Sequence, residues 1–265
     1  SLALGWCFEA QDKLSQAIEE WSALITGYSD SNAAKAGLLA RGDAFYREGS
    51  FESGLQDAKR FLASVRQTKN TSSATSEAHF LSGLCLMGLK QYEKATQEFQ
   101  TILDTQSSFA SADRVAFEMG TAQLLMGNNA DAEKTFRMVV SKYPQGSRTA
   151  DAWFEIGESR FEAGAWDDAA AAYDSAIQSV IDRDTMSQLL EQSFHKRGWA
   201  FVMKKDHAKA AKAFNEQVKQ FPNGPLTTDG YAMLGESFFQ SGNHAAAREP
   251  LSKAIATIEQ LSSVD

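Results

Sequence analysis

Apolar and small residues recur along this chain in seven units, each of which contains a glycine at the same place in its helical pattern. These marker glycines are Gly5, Gly42, Gly83, Gly120, Gly157, Gly198 and Gly235, and successive ones stand 37, 41, 37, 37, 41 and 37 residues apart. A fixed period of this size indicates a repeat architecture. We therefore expect residues 1–265 to form a single solenoid of about seven repeats, as a fragment of a longer array.

The residues that follow each marker glycine predict a helix with one apolar face. A small residue comes 12 positions later, a bulky one at 16 in all units except one, where Ala58 stands, and a branched aliphatic at 20. Because steps of four place residues on one face of a helix, this segment is the second helix of a helical hairpin. The small residues, at which two helices must approach closely, are Ala17, Gly54, Ala95, Ala132, Ala169, Ala210 and Ala247.

A turn is predicted about seven residues after each marker glycine, between the two helices of a unit. Four units carry a glycine there, which can adopt the positive φ that ends a helix: Gly49, Gly127, Gly164 and Gly242. The other three carry Asp12, Lys90 and Lys205, so their turns must close without glycine. Between units, we expect a polar loop at Lys69 to Ser73 at the first long junction, and a helix lengthened through Met186, Leu189 and Leu190 at the second.

The fifth unit resembles the tetratricopeptide repeat family most clearly. The matching residues are Trp153-Phe154-Glu155-Ile156-Gly157, followed by Gly164, Trp166, Ala169 and Tyr173. The resemblance implies an all-α, right-handed superhelical solenoid of helix–turn–helix repeats, which acts as a non-enzymatic scaffold for other proteins. The junctions at 142–147 and 220–225 are similar to those of bacterial envelope repeat proteins such as the Tol-Pal coordinator and the outer-membrane assembly lipoprotein, and imply the periplasm or cell envelope.

Charge and composition argue against several other functions. The net charge of −8, from 26 basic and 34 acidic residues, has the wrong sign for phosphate binding, so we expect no nucleic-acid partner. The four histidines never stand three or four residues apart, which leaves no helical pair of metal ligands. No phosphate-binding glycine loop or catalytic motif occurs. We expect no metal, no cofactor, no catalytic residue and no membrane insertion in this segment.

The resemblance also indicates a candidate partner-binding surface, because in this family the first helices line the concave side. The candidates are Phe80, Met87, Phe117, Glu118, Asp151, Phe154, Glu155, Glu158, Phe161, Glu162, His195 and Trp199. Their apolar and acidic character favours a protein or peptide partner, in particular a basic amphipathic helix. Two alternatives remain open. The phenylalanines pack between helices while the acids only keep the face soluble, or the chain is a structural spacer that self-associates through uncapped ends.

Overall fold

A computed structural model describes residues 1–65, 72–106 and 108–262, which form fourteen helices and no strand. The helices are α1 (Leu2–Glu9), α2 (Leu14–Gly27), α3 (Asn32–Arg47), α4 (Phe51–Val65), α5 (Ser73–Gly88), α6 (Tyr92–Thr105), α7 (Ala112–Leu125), α8 (Asn129–Lys142), α9 (Thr149–Glu162), α10 (Trp166–Ser179), α11 (Ser187–Met203), α12 (His207–Gln220), α13 (Thr227–Gln240) and α14 (His244–Ser262). Within the described residues, no helix is both long enough and apolar enough to cross a membrane.

The helices are arranged in two compact units, Ser1–Thr135 (unit 1) and Phe136–Asp265 (unit 2). In unit 1 each helix from α1 to α7 packs against the next, as does each helix from α9 to α14 in unit 2. First helices of neighbouring hairpins also touch: α1 contacts α3, α3 contacts α5, α5 contacts α7, and α9 contacts α11. This is the contact pattern of an all-α helical solenoid. That all seven repeats form one continuous array stays a prediction.

The marker glycine of a repeat packs directly against the bulky residue 16 positions later. A Cβ atom added to Gly157 would lie 2.5 Å from Cε1 of Tyr173, far inside contact distance. The same close approach joins Gly5 to Trp21, Gly83 to Phe99, Gly198 to Phe214 and Gly235 to Leu251. Where the bulky residue is replaced by Ala58, Leu81 fills the space, 2.8 Å from the Cβ position of Gly42. The glycine period therefore records a steric requirement of the helical hairpin.

The predicted turns are confirmed. The four turn glycines have positive φ angles between 72° and 82°. Asp12, Lys90 and Lys205 adopt the same left-handed conformation, with φ of 59°, 58° and 63°. Left-handed backbone brings the Cβ atom of an L-residue close to the next carbonyl oxygen, so these three turns close at a conformational cost.

The two predicted junction features have different outcomes. Helix α11 has 17 residues, against 14 in α9 and α13, and contains Leu189 and Leu190 as expected. Met186 lies outside it, as the N-cap residue. Of the predicted polar loop at Lys69 to Ser73, residues 69–71 lie outside the described residues, and Ser73 already begins α5.

Candidate partner-binding faces

The candidate partner-binding residues are divided between the two units. Phe80, Met87, Phe117 and Glu118 lie on α5 and α7 of unit 1. The other eight, from Asp151 to Trp199, lie on α9 and α11 of unit 2. Each unit therefore presents its own candidate face.

In unit 1 the two candidate phenylalanines are mainly core residues. Phe80 and Phe117 are only 9% and 7% exposed, and the Phe80 ring packs 5.9 Å from that of Phe99. The Arg114 guanidinium lies over Phe80, 5.2 Å from the ring centroid. Met87 and Glu118 are half-buried. Little of the two rings is thus available to a partner.

Unit 1 also contains a cavity of about 920 Å³ that the sequence pattern did not single out. Its apolar lining comes from four helices and one loop: Trp6, Leu39, Tyr46, Phe61, Val65, Phe80, Leu81, Leu84 and Phe109. Lys35, Asp43, Arg47, Glu77 and Arg114 add both signs of charge. One of these lining residues, Phe80, is among the candidates named from the sequence.

In unit 2 four carboxylates form an acidic stripe along α9: Asp151, Glu155, Glu158 and Glu162. Their spacing of four, three and four residues places them on one side of the helix. All except Glu162 are half-buried, and Glu162 is exposed. The four carboxylates therefore form a continuous row on the first helix of the fifth repeat.

The negative charge of the acidic stripe is only partly balanced by ion pairs, those of Asp151 with Arg148 and of Glu158 with Lys196. Burial raises the pKa of Glu155, and Glu158, Asp151 and Glu162 raise it further. Among the described residues, Glu155 forms no ion pair. Burial also raises the pKa of Asp151, although Arg148, 3.5 Å away, acts in the opposite direction. The Oδ2 atom of Asp151 is buried and has no hydrogen-bond partner within the described residues.

Glu158 is the one member of the acidic stripe with both oxygens engaged. The Tyr173 hydroxyl on α10 donates to Oε1 at 2.5 Å, and the Lys196 ammonium on α11 donates to Oε2 at 2.6 Å. Burial, and then this hydrogen bond, raise the pKa of Tyr173, which keeps the hydroxyl protonated as a donor. The position of the Glu158 carboxylate is thus fixed from two neighbouring helices.

Two phenylalanines flank the acidic stripe and contribute to both core and surface. The Phe154 ring packs 5.7 Å from Tyr173, and the Phe161 ring packs edge-on 5.0 Å from Trp166. Both lie against a buried cluster that includes Ala169 and Tyr173. Because each is only half-buried, part of its apolar surface remains accessible.

His195 and Trp199 form a linked pair on α11. Nδ1 of His195 lies 3.0 Å from Oε1 of Gln217, and the Trp199 indole donates to Nε2 of His195 at 2.9 Å. The Gln217 amide nitrogen donates to the Leu226 carbonyl, so its oxygen accepts from His195. His195 is 8% exposed and therefore lies mainly in the interior, whereas Trp199 is half-buried. Within the described residues, no group of three or more His, Cys, Asp and Glu side chains is arranged to hold a metal ion.

Similarity to known proteins agrees with this geometry. The sequence model of the tetratricopeptide repeat matches residues 39–110, 117–184 and 195–260. The chain belongs to the tetratricopeptide repeat family. No curated protein matches it significantly.

Several solved structures share the fold. A tetratricopeptide repeat protein from Parabacteroides merdae is 17% identical, with a TM-score of 0.61 over 96% of this chain and 91% of its own. The C-terminal part of a repeat protein from Cytophaga hutchinsonii is 15% identical, with a TM-score of 0.70 over 97% and 98%. PilF of Pseudomonas aeruginosa is 17% identical, with a TM-score of 0.62 over 86% and 93%. At these identities the likeness establishes the fold alone.

Proposed function

We propose that unit 2 binds a basic, amphipathic segment of a partner protein along the acidic stripe. Tetratricopeptide repeats support a general role as a scaffold for protein–protein interaction. The observation that carries the finer proposal is the environment of Glu155, which is surrounded by three carboxylates and forms no ion pair among the described residues. A cationic side chain at this position would relieve that repulsion. The proposed role requires no catalytic group.

The stripe and its aromatic neighbours supply the two components of such an interface. The exposed parts of Phe154 and Phe161 provide apolar area, worth about 25 cal/mol for each Å² that a partner removes from water. The carboxylates provide a negative potential that steers a basic partner and orients it, more than it adds affinity. A helix with apolar and basic residues at helical spacing meets both requirements.

The same charges disfavour other ligand classes. A partner presenting an acidic C-terminus would meet Asp151, Glu155 and Glu162 and be repelled. A nucleic acid would meet the same repulsion from its phosphates. Charge therefore selects among ligands that the apolar surface alone would not distinguish.

Binding can be tested with a synthetic amphipathic helix of leucine and lysine, and with a second peptide in which glutamate replaces each lysine. We expect unit 2 in the intact chain to bind the lysine peptide more tightly, with an affinity that falls as salt rises. Phe154→Ala should weaken binding by about 1–2 kcal/mol at every ionic strength. The double reversal Glu155→Lys and Glu158→Lys should mainly slow association and flatten the salt dependence.

The matched control reverses two acids on α14, Glu249→Lys and Glu259→Lys, which changes the net charge equally but leaves the acidic stripe intact. Circular dichroism should show that every variant remains helical. If Phe154→Ala and the Glu155/Glu158 double reversal both retained full binding, the acidic stripe would not be the binding site.

Self-association is a second candidate role, favoured by two exposed apolar residues on α14. Ile255 and Ile258 are 56% and 53% exposed. Sedimentation velocity over a range of concentrations tests this role. A concentration-dependent dimer that Ile255→Ser and Ile258→Ser abolish would support the spacer, whereas a monomer at all concentrations would exclude it.

A further inference from the structure

Within the acidic stripe, one carboxylate lies in a small site built by three helices and filled by a side chain of the same protein. Lys196 of α11 places its ammonium 2.6 Å from Oε2 of Glu158 and 5.5 Å from the centroid of the Phe161 ring, both on α9. Tyr173 of α10 holds the other carboxylate oxygen at 2.5 Å. A carboxylate beside an aromatic face is an arrangement that binds ammonium groups, by charge-assisted hydrogen bonding and cation–π attraction.

We propose that Glu158, Phe161 and Tyr173 form a subsite for a lysine side chain of the partner, and that Lys196 occupies this subsite until the partner's ammonium replaces it. The inference rests on the proposed function, since it concerns the same face. Lys196 and Glu158 both remain accessible, with side-chain exposures of 36% and 29%, so exchange needs no opening of the core. Lys196 thus makes the free protein a weaker binder than its carboxylates alone would allow.

The geometry also distinguishes lysine from arginine. An arginine binds a carboxylate best through two parallel hydrogen bonds, one to each oxygen. In this subsite the Tyr173 hydroxyl already takes one of the two acceptor positions of Oε1 of Glu158, so Oε2 is the less crowded oxygen for an incoming donor. A compact ammonium needs only Oε2 and fits, whereas a planar guanidinium that bonds both oxygens has to share Oε1 with the Tyr173 hydroxyl. The subsite should therefore prefer lysine.

The first test compares Lys196→Met with Lys204→Met, using the leucine–lysine peptide as the probe. Methionine keeps an apolar stem over Phe161 and removes the charge. Lys204 is a matched control because it follows α11 directly as its C-cap residue, has 39% side-chain exposure and bonds Asp167 on α10, which is not part of the acidic stripe, at 2.6 Å. We expect Lys196→Met to tighten peptide binding by about 2- to 5-fold at low salt, as the loss of an exposed competing ion pair predicts, and Lys204→Met to leave it unchanged.

The outcomes separate this inference from the proposed function. If the wild-type protein binds the lysine peptide but the two methionine variants have equal affinities, the subsite is overturned and the binding face stands. If wild type does not prefer the lysine over the glutamate peptide, the proposed function fails; a gain in Lys196→Met alone would then support a self-blocked subsite. If neither the wild-type protein nor Lys196→Met bound the lysine peptide, both proposals would be overturned.

The second test concerns the preference for lysine. In the Lys196→Met background, the leucine–lysine peptide should bind more tightly than a leucine–arginine peptide of the same design. Adding Tyr173→Phe keeps the buried ring and frees Oε1 of Glu158, so the arginine peptide should gain relative to the lysine peptide. An arginine preference before Tyr173→Phe, or an unchanged ratio after it, would overturn the assigned role of Tyr173.

Discussion

Tyr173 donates a hydrogen bond to Glu158 from a ring that is itself completely buried. The same ring packs against Gly157, the residue immediately before its hydrogen-bond acceptor. One side chain therefore closes the helical hairpin and holds a carboxylate of the acidic stripe. A substitution that shifts the Tyr173 ring in the core should consequently also shift the Glu158 carboxylate at the surface.

Substitution of the marker glycine should destabilise the protein. The Cβ atom of Gly157→Ala would lie 2.5 Å from the Tyr173 ring, so the ring or the helix must shift, at a cost of about 1–3 kcal/mol. Gly27→Ala is the control, because nothing lies within 4 Å of the Cβ position there and alanine is the better helix former. Urea titrations followed by circular dichroism should show a lower unfolding midpoint for Gly157→Ala only.

The small residue of each repeat should resist enlargement. Ala169 is 0% exposed where α10 crosses its neighbours, so Ala169→Leu should overpack the crossing and cost about 1–3 kcal/mol. Ala171 lies on the exposed side of the same helix. Equal effects of Ala169→Leu and Ala171→Leu on the unfolding midpoint would contradict the assigned crossing.

One turn can be improved by removing its side chain. Lys205 has a φ of 63°, a conformation that costs most residues about 1–2 kcal/mol and glycine very little. Lys205→Gly should therefore raise the free energy of unfolding by up to about 1 kcal/mol, after the entropy that glycine gains in the unfolded chain is subtracted. Lys212→Gly, in the interior of α12, should lower it by about 1 kcal/mol. A stabilising Lys212→Gly would show that the effect is unrelated to φ.

Neutralising Glu155 should stabilise the protein in a pH-dependent manner. Because burial and three carboxylates raise its folded pKa above the ordinary value of 4.5, the unfolded chain loses this proton first as pH rises, and stability falls. Glu155→Gln should thus unfold at a higher temperature than wild type near neutral pH. The gain should disappear well below the ordinary pKa, where both states are protonated.

The control for this pH dependence is Glu259→Gln, an exposed position on α14 whose effect should stay within about 0.5 kcal/mol at any pH. The measurement is the thermal unfolding midpoint of wild type, Glu155→Gln and Glu259→Gln at a series of pH values from acidic to neutral. A gain for Glu155→Gln that persists at low pH would mean that charge is not its cause.

The sequence predicted the features that depend on local spacing. The glycine period, the helical faces and the turns follow from steric rules within about 20 residues, and even the three turns without glycine were identified as exceptions. The row of carboxylates on α9 follows from spacing too. These relationships need no knowledge of how one repeat lies against the next.

Contacts between repeats could not be predicted from the sequence pattern. Lys196 and Glu158 are 38 residues apart, and their ion pair depends on the rotation and distance of α11 relative to α9. The same unknown left Phe80 among the surface candidates, although it is mainly buried. The cavity of unit 1 likewise depends on how far five helices separate. Helix packing allows several crossing angles, and periodicity does not choose among them.

The fixed interval between Gly157 and Tyr173 has an evolutionary consequence. Since an α-helix turns about 100° per residue, deleting one residue between them would rotate the ring away from the glycine. The steps of 37 and 41 residues between marker glycines show that length changes are accepted outside this interval. Duplication or loss of whole repeats preserves every such pair, so selection can alter the length of this protein repeat by repeat.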